Sequence, residues 1–221
     1  MARPGGGCCL VTVATATRVS FELGCLPGCE ERSGDLFDLM SSGKYDVCAV
    51  MEIPESMEDW RLEHRTARKR VWRAERRGYE ADVLHREFHA DDIHAINTSK
   101  AHRQGRPMAH TYMQRQEFSP LPAYPCDRHA YRISGVFYDN VAVAYLVMIR
   151  AGDLALVSQI LGHADHEDNG VMFQLFAFAL EREIAAGPGV VVYNRWDSGE
   201  PGLRDFKARL GFTESAVEWV A

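Results

Sequence analysis

Arg132-Ile-Ser-Gly-Val-Phe-Tyr138, Val141-Ala-Val-Ala-Tyr-Leu-Val-Met-Ile149 and Leu154-Ala-Leu-Val-Ser-Gln-Ile-Leu161 are three β-rich runs separated by short turn-forming pieces. Asp139-Asn140 tolerates the positive φ of a tight hairpin, and Ala151-Gly152-Asp153 supplies a glycine for the second turn. The spacing predicts an antiparallel meander. Val171 to Ala186 follows, with Met172, Phe173, Phe176, Phe178, Leu180 and Ile184 on every side, so a deeply buried helix is expected. Gly187-Pro188-Gly189 stops it. Val190 to Tyr193 then reads as a strand, Leu203 to Leu210 as a short helix ended by Gly211, and Phe212 through Val217, Trp219 and Val220 as a last strand.

Upstream, Val11 to Leu23 can form one or two strands, and Asp46 to Ile53, with Val47, Ala49, Val50 and Met51, another. Glu58 to Arg77 contains no Gly or Pro and reads as one helix, capped by Gly78. Tyr79 to Leu84 is a short strand and Ala90 to Ile96 a brief helix. Asn97-Thr-Ser-Lys-Ala-His-Arg-Gln-Gly-Arg-Pro107 is polar and reads as a loop. Residues 1–17 are expected to be flexible, and the prolines at 120, 122 and 125 mark a possible subdomain boundary near 119–126 within a single domain.

A chain of 221 residues, 46% hydrophobic and 25% charged, can bury a substantial core. No run of about eighteen apolar residues is present, which excludes a membrane-spanning helix. Arg3 and the Thr-rich stretch from Cys8 to Thr17 make a poor leader, so a cytoplasmic protein is expected. The six cysteines then read as reduced thiols. Neither Cys25 with Cys29 nor His163 with His166 has the converging partners of a zinc site, and no metal is expected.

The net charge of −6 is unevenly spread. Residues 61–77 carry eight basic and two acidic side chains, which leaves the rest of the chain at −12. Arg61, Arg65, Lys69, Arg73 and Arg77 recur every four residues, with Arg68 and Arg76 beside them and Ala67, Val71 and Ala74 opposite. Such a helix repels itself unless a polyanion or the acidic remainder of the protein pairs with it. Conversely, the loop Gly162-His-Ala-Asp-His-Glu-Asp-Asn-Gly170 before the buried helix carries three carboxylates. They suit the helix dipole as capping residues and would repel a pyrophosphate by about 1–4 kcal/mol each. The chain has neither a Gly-x-Ser-x-Gly elbow nor a P-loop, which argues against a hydrolase or a kinase.

The order meander, buried helix, strand, short helix, strand resembles that of the GNAT acyltransferases. The resemblance implies an α/β (α+β) GNAT-like fold with a mixed, mostly antiparallel sheet flanked by helices. Arg68-Lys-Arg-Val-Trp-Arg-Ala-Glu-Arg-Arg-Gly-Tyr-Glu80 with Asp91-Asp92, Thr98, Arg103 and Arg106 is similar to a segment of the Fem-type aminoacyltransferases. So is Gly202-Leu-Arg-Asp-Phe-Lys207 with Leu210-Gly-Phe212. Within that group the chain resembles the short alanyl-tRNA-dependent transferases of peptidyl nucleoside antibiotic biosynthesis, over about residues 65–221. Fem enzymes of cell-wall synthesis carry two such domains, where this chain has room for one.

The resemblance implies transfer of an amino acid from aminoacyl-tRNA, as co-substrate and with no cofactor, to the amine of a peptide or carrier-bound acceptor. It places Phe206 and Lys207 at the reaction centre, where a cation would stabilise the tetrahedral intermediate. Arg65, Arg68, Lys69, Arg73 and Arg76 would grip tRNA phosphates. The donor-rich loop with Asn97, Thr98, Ser99, Lys100, Arg103 and Arg106 would bind a phosphate or carboxylate. Asp197, Glu200 or a histidine could be the general base. Two other functions fit the same sequence: an acyl-CoA-dependent N-acyltransferase, and a non-catalytic RNA-binding domain of the same fold.

Overall fold

The computed structural model describes residues 9–15, 18–24, 47–121 and 129–220. Eleven strands occur among them: β1 (Cys9–Thr15), β2 (Arg18–Gly24), β3 (Val47–Glu52), β4 (Glu80–Val83), β5 (His102–Arg103), β6 (Arg106–Pro107), β7 (His129–Tyr138), β8 (Val141–Ala151), β9 (Leu154–Gly162), β10 (Val190–Arg195) and β11 (Thr213–Val220). The helices are α1 (Met57–Glu63), α2 (Arg65–Arg76), α3 (Ala90–Thr98), α4 (His110–Met113), α5 (Val171–Ala185) and α6 (Pro201–Leu210). Nine strands form one sheet in the order β1-β2-β11-β3-β10-β9-β8-β7-β4, and β5 pairs with β6 alone. Only β2–β11 and β9–β10 pair in parallel.

The meander forms as its turns require. Asp139 and Asn140 hold φ at 51° and 64°, the two left-handed positions of a tight hairpin, and Gly152 holds 62° in the next turn. Alternation along the strands separates the two faces. Ala144, Leu146 and Met148 of β8 join a core with α1, α2, α5 and α6, whereas Tyr145 joins Ile93 and Ile96 of α3 on the opposite face.

Helix α5 is buried as its composition predicts, with Val171, Leu175, Phe176 and Leu180 fully covered. Its far end is pinned by Glu183, also fully buried, which accepts from Arg132 at 2.9 Å and from Arg150 at 3.1 Å.

Glu58 to Arg77 is not one helix. The chain leaves helical geometry at His64 (φ −105°, ψ 62°), separating α1 from α2. Docking explains the break. Trp60 of α1 donates its indole N–H to Leu210 O at 2.9 Å, and His64 occupies the space beside Gly211 that a side chain there would need. Arg61 therefore lies across the break from the basic stripe.

Of residues 1–17, expected to be flexible, 9–15 pair as β1. Residues 1–8, 16–17 and 122–128, with most of the proline-rich boundary stretch, lie outside the described residues, as do Cys25 and Cys29. Among the described residues no helix is long and apolar enough to cross a membrane.

Candidate functional site

Strands β9 and β10 are paired only at Leu154–Leu156 against Val190–Val192. Beyond that point β9 continues to Gly162 and β10 to Arg195, so the parallel pair opens at its carboxyl ends. Such an opening is where α/β sheets accept ligands, because the loops and helix N-termini converge there.

The stretch after α3 closes across this mouth. Arg103 donates to Glu167 Oε1 at 2.8 Å and to Gly162 O at 2.9 Å. Lys100 also pairs with Glu167, and Ser99 Oγ accepts from Ala164 N at 3.1 Å. On the other side, Gln104 Oε1 accepts from Glu200 N, just before α6, at 3.0 Å. Gln104 and Gly105 both have positive φ and turn β5 into β6. Residues 97–107 are thus a strap from the end of β9 to the start of α6.

Several strap residues expected to bind substrate are bonded within the protein. Asn97 is buried and accepts from Tyr145 Oη at 2.9 Å, and Thr98 Oγ1 donates to His94 O at 2.8 Å. Arg106 is exposed on β6.

The acidic loop does not cap α5. Gly170 is the N-cap, left-handed at φ 89°, and no side chain bonds there. A Cβ on Gly170 would meet Arg70 O at 2.3 Å, so glycine lets α2 cross close over the start of α5. Glu167 serves the strap instead. The rest of the loop is tied to the end of α2: Tyr79 Oη lies 2.8 Å from His166 Nδ1 and accepts from Asn169 at 2.7 Å, while Arg77 donates to Asn169. Burial, and secondarily His163, pushes the His166 pKa down. Among the described residues no three His, Cys, Asp or Glu side chains converge as metal ligands.

On α6, Phe206 packs edge-on against Phe173 of α5, with ring centroids 4.9 Å apart. Lys207 points inward and is fully buried. Its ammonium donates to Arg195 O at 2.5 Å and Ser198 Oγ at 3.0 Å, and lies 5.1 Å from the centre of the Tyr193 ring. Burial lowers its pKa to about 8, opposed by Asp197 and Cys48. Lys207 therefore fixes the turn leaving β10 from beneath.

Arg65, Arg68, Lys69, Arg73 and Arg76 are exposed on the outer face of α2, while Ala67, Val71 and Ala74 are buried. They face solvent whereas Lys207 is buried, and Arg77 joins their helix to the loop at the mouth through Asn169. On the opposite face of the sheet lies a cavity of about 360 Å³, lined in part by Ile93, Tyr112, Tyr145, Ser158 and Gln159. Ser158 and Gln159 belong to the length of β9 that has parted from β10.

Sequence reasoning missed Ser198 and Gln104 as partners of the site and misassigned Glu167. A carboxylate facing Lys100 and Arg103 across 60-odd residues of sequence leaves no local signature.

No protein-family model matches the chain, and no curated protein matches it. Solved structures do. FemX aligns with a TM-score of 0.59 at 12% identity, over 82% of this chain and 66% of that one. The C-terminal domain of a putative lysylphosphatidylglycerol synthetase from Agrobacterium fabrum aligns with a TM-score of 0.51 at 12% identity, over 94% and 78%. A GCN5-related N-acetyltransferase from Kribbella flavida aligns with a TM-score of 0.42 at 18% identity over 63% of this chain, which spans only 48% of that protein's length. The chain has a GNAT-like fold, mixed α/β with a mostly antiparallel sheet flanked by helices.

Proposed function

We propose that this protein is an aminoacyltransferase that moves an amino acid, alanine as the best reading, from aminoacyl-tRNA to the amine of a peptide or carrier-bound acceptor. The biosynthesis of an antibiotic or another natural product is the setting the sequence resemblance supports. The observation that carries the reading is the exposed cationic face of α2, joined to the loop at the cleft mouth through Arg77 and Asn169. A polyanion can lie along α2 while exposed Asp165 and Asp168 oppose a pyrophosphate at the mouth, where Lys100 and Arg103 already neutralise Glu167. The fold shared with FemX supports the same reading.

In this reaction the neutral acceptor amine attacks the ester carbonyl, the C–N bond forms and the bond to the ribose oxygen breaks. The amine loses a proton and the departing ribose oxygen gains one. An aminoacyl ester is already activated, so positioning and charge stabilisation suffice and no protein nucleophile or cofactor is required. Lys207 supplies positive charge beneath the Arg195–Ser198 turn, and Phe206 packs α6 against Phe173 of α5. The cavity beside Tyr145 and Gln159 opens toward β9 from the face opposite α5 and would receive the acceptor. Strap residues Asn97, Thr98, Ser99, Lys100, Arg103 and Arg106 would shape the mouth for the tRNA end.

The test is a transfer assay with a pool of charged tRNA and amine acceptors, with and without ribonuclease. Transfer abolished by ribonuclease is expected. Transfer that survives ribonuclease and runs on acetyl-CoA would establish the acyl-CoA alternative, and RNA binding without transfer from any donor would establish the non-catalytic one. In parallel, charge reversal at Arg65, Lys69 and Arg73 should lower the log–log salt slope of tRNA binding by about 0.7–0.9 per lost contact.

A further inference from the structure

Trp72 is 57% exposed on α2, although Ala67, Val71 and Ala74 give that helix a fully covered apolar side. Helical spacing puts Arg68, Lys69, Glu75 and Arg76 next to its indole, at i−4, i−3, i+3 and i+4. The Arg76 guanidinium carbon lies 4.7 Å from the ring centroid. Lys69, Trp72, Arg73, Arg76 and Arg77 line one open groove, and Glu75 is the sole acid of α2. A flat aromatic face set among five cations offers two kinds of contact at once, π-stacking and phosphate neutralisation.

A single strand of nucleic acid uses both, since each nucleotide brings a planar base and a phosphate. An acidic peptide would engage the cations and leave the indole without a stacking partner. A membrane surface would require further apolar side chains beside Trp72. The remaining apolar positions of α2 are buried, and exposed Leu62 belongs to α1 beyond the break at His64.

We propose that Trp72 is a base-stacking platform: an unpaired RNA base lies on the indole while Lys69, Arg73, Arg76 and Arg77 hold the flanking phosphates. The proposal rests on the RNA-binding reading above and goes beyond it, because phosphate contacts alone would serve a duplex equally well. Arg77 is also bonded to Asn169, so a strand laid in the groove runs toward the cleft mouth.

The full chain is titrated with three RNAs: a hairpin with a single-stranded 3′ tail, the same hairpin blunt-ended, and one with an abasic tail. Tryptophan emission and anisotropy are followed for the wild type, Trp72→Leu, Trp72→Phe and the pair Lys69→Glu with Arg73→Glu. The tailed hairpin should quench an emission component that Trp72→Phe lacks. Trp72→Leu should weaken tailed RNA by about tenfold or more and leave blunt RNA unchanged, and Trp72→Phe should recover part of the loss. Equal binding of tailed RNA by Trp72→Leu, or of abasic and normal tails by the wild type, would overturn the platform. The phosphate reading would still stand if the double charge reversal lost affinity for every RNA. If no RNA binds and an acidic peptide quenches Trp72, both readings fall.

Discussion

Arg103 donates to the Glu167 carboxylate at 2.8 Å and, through its other terminal nitrogen, to Gly162 O, so a single guanidinium fastens the strap to both ends of the 163–166 segment. Its side chain is only 15% exposed, and Lys100 shares the same carboxylate. Removing that carboxylate leaves two cations facing each other without a counter-charge. Hydrogen bonds to charged groups contribute about 1.5–3 kcal/mol, so Glu167→Gln should raise the open population of the strap roughly ten- to a hundredfold. Trypsin reads this directly, because Lys100 and Arg103 lie in the strap. Cleavage there at the wild-type rate would mean that the pair does not hold the strap closed.

A second prediction concerns the other end of α5. Glu183 is wholly buried between Arg132 and Arg150. Glu183→Ala strands Arg150, itself almost fully covered, without its carboxylate. Breaking such a cluster costs about 3–5 kcal/mol, which in a domain of this size lowers Tm by roughly 6–20 °C. Calorimetry of the variant decides it, and a shift within a degree or two would show that backbone carbonyls alone satisfy Arg150.

The fold was largely legible in the sequence because its central elements announce themselves locally. Asp139-Asn140 and Gly152 mark the two turns, a continuous β-rich run marks β8, and apolar residues all round mark α5. The break at His64 was not legible. Nothing in Glu58 to Arg77 disfavours helix, and the cause is Trp60 reaching Leu210, 150 residues away. The site was legible in its residue types more than in its bonds. The strap and the acidic loop stood out by composition, but that they bind each other, so that Glu167 serves Arg103 rather than α5, depends on β9 placing Gly162 beside both.

The loop before α5 also sets an expectation for the donor. Asp165 and Asp168 are exposed just ahead of the start of α5 at Gly170, while the charge of Glu167 is taken up by Lys100 and Arg103. Acetyl-CoA at sub-millimolar concentration should therefore leave the thermal midpoint unchanged. A ligand with a Kd a hundredfold below its concentration would add about 2.7 kcal/mol, a shift that calorimetry cannot miss. Such a shift would overturn the donor assignment.

Lys207 carries the prediction with the most chemistry in it. Burial brings its pKa from 10.5 to about 8, so it is charged at neutral pH and loses its proton as pH rises through 8. If that charge stabilises the transition state, turnover should fall above about pH 8, and Lys207→Arg should move this limb upward because a guanidinium stays charged. Lys207→Ala should lower turnover by about 10²–10³-fold while tRNA binding changes far less, since the basic contacts lie on α2. Phe206→Leu, which keeps an apolar contact with Phe173, should cost less. Linkage gives an independent check with the opposite sign. Between pH 8 and 10.5 the unfolded chain holds more protons at this lysine than the folded one, so Lys207 makes stability rise with pH there. Lys207→Met should flatten that rise in urea titrations at several pH values. A variant that loses the stability rise and keeps its turnover would leave Lys207 as a buried brace for the Arg195–Ser198 turn, and the reacting charge would then have to come from the strap.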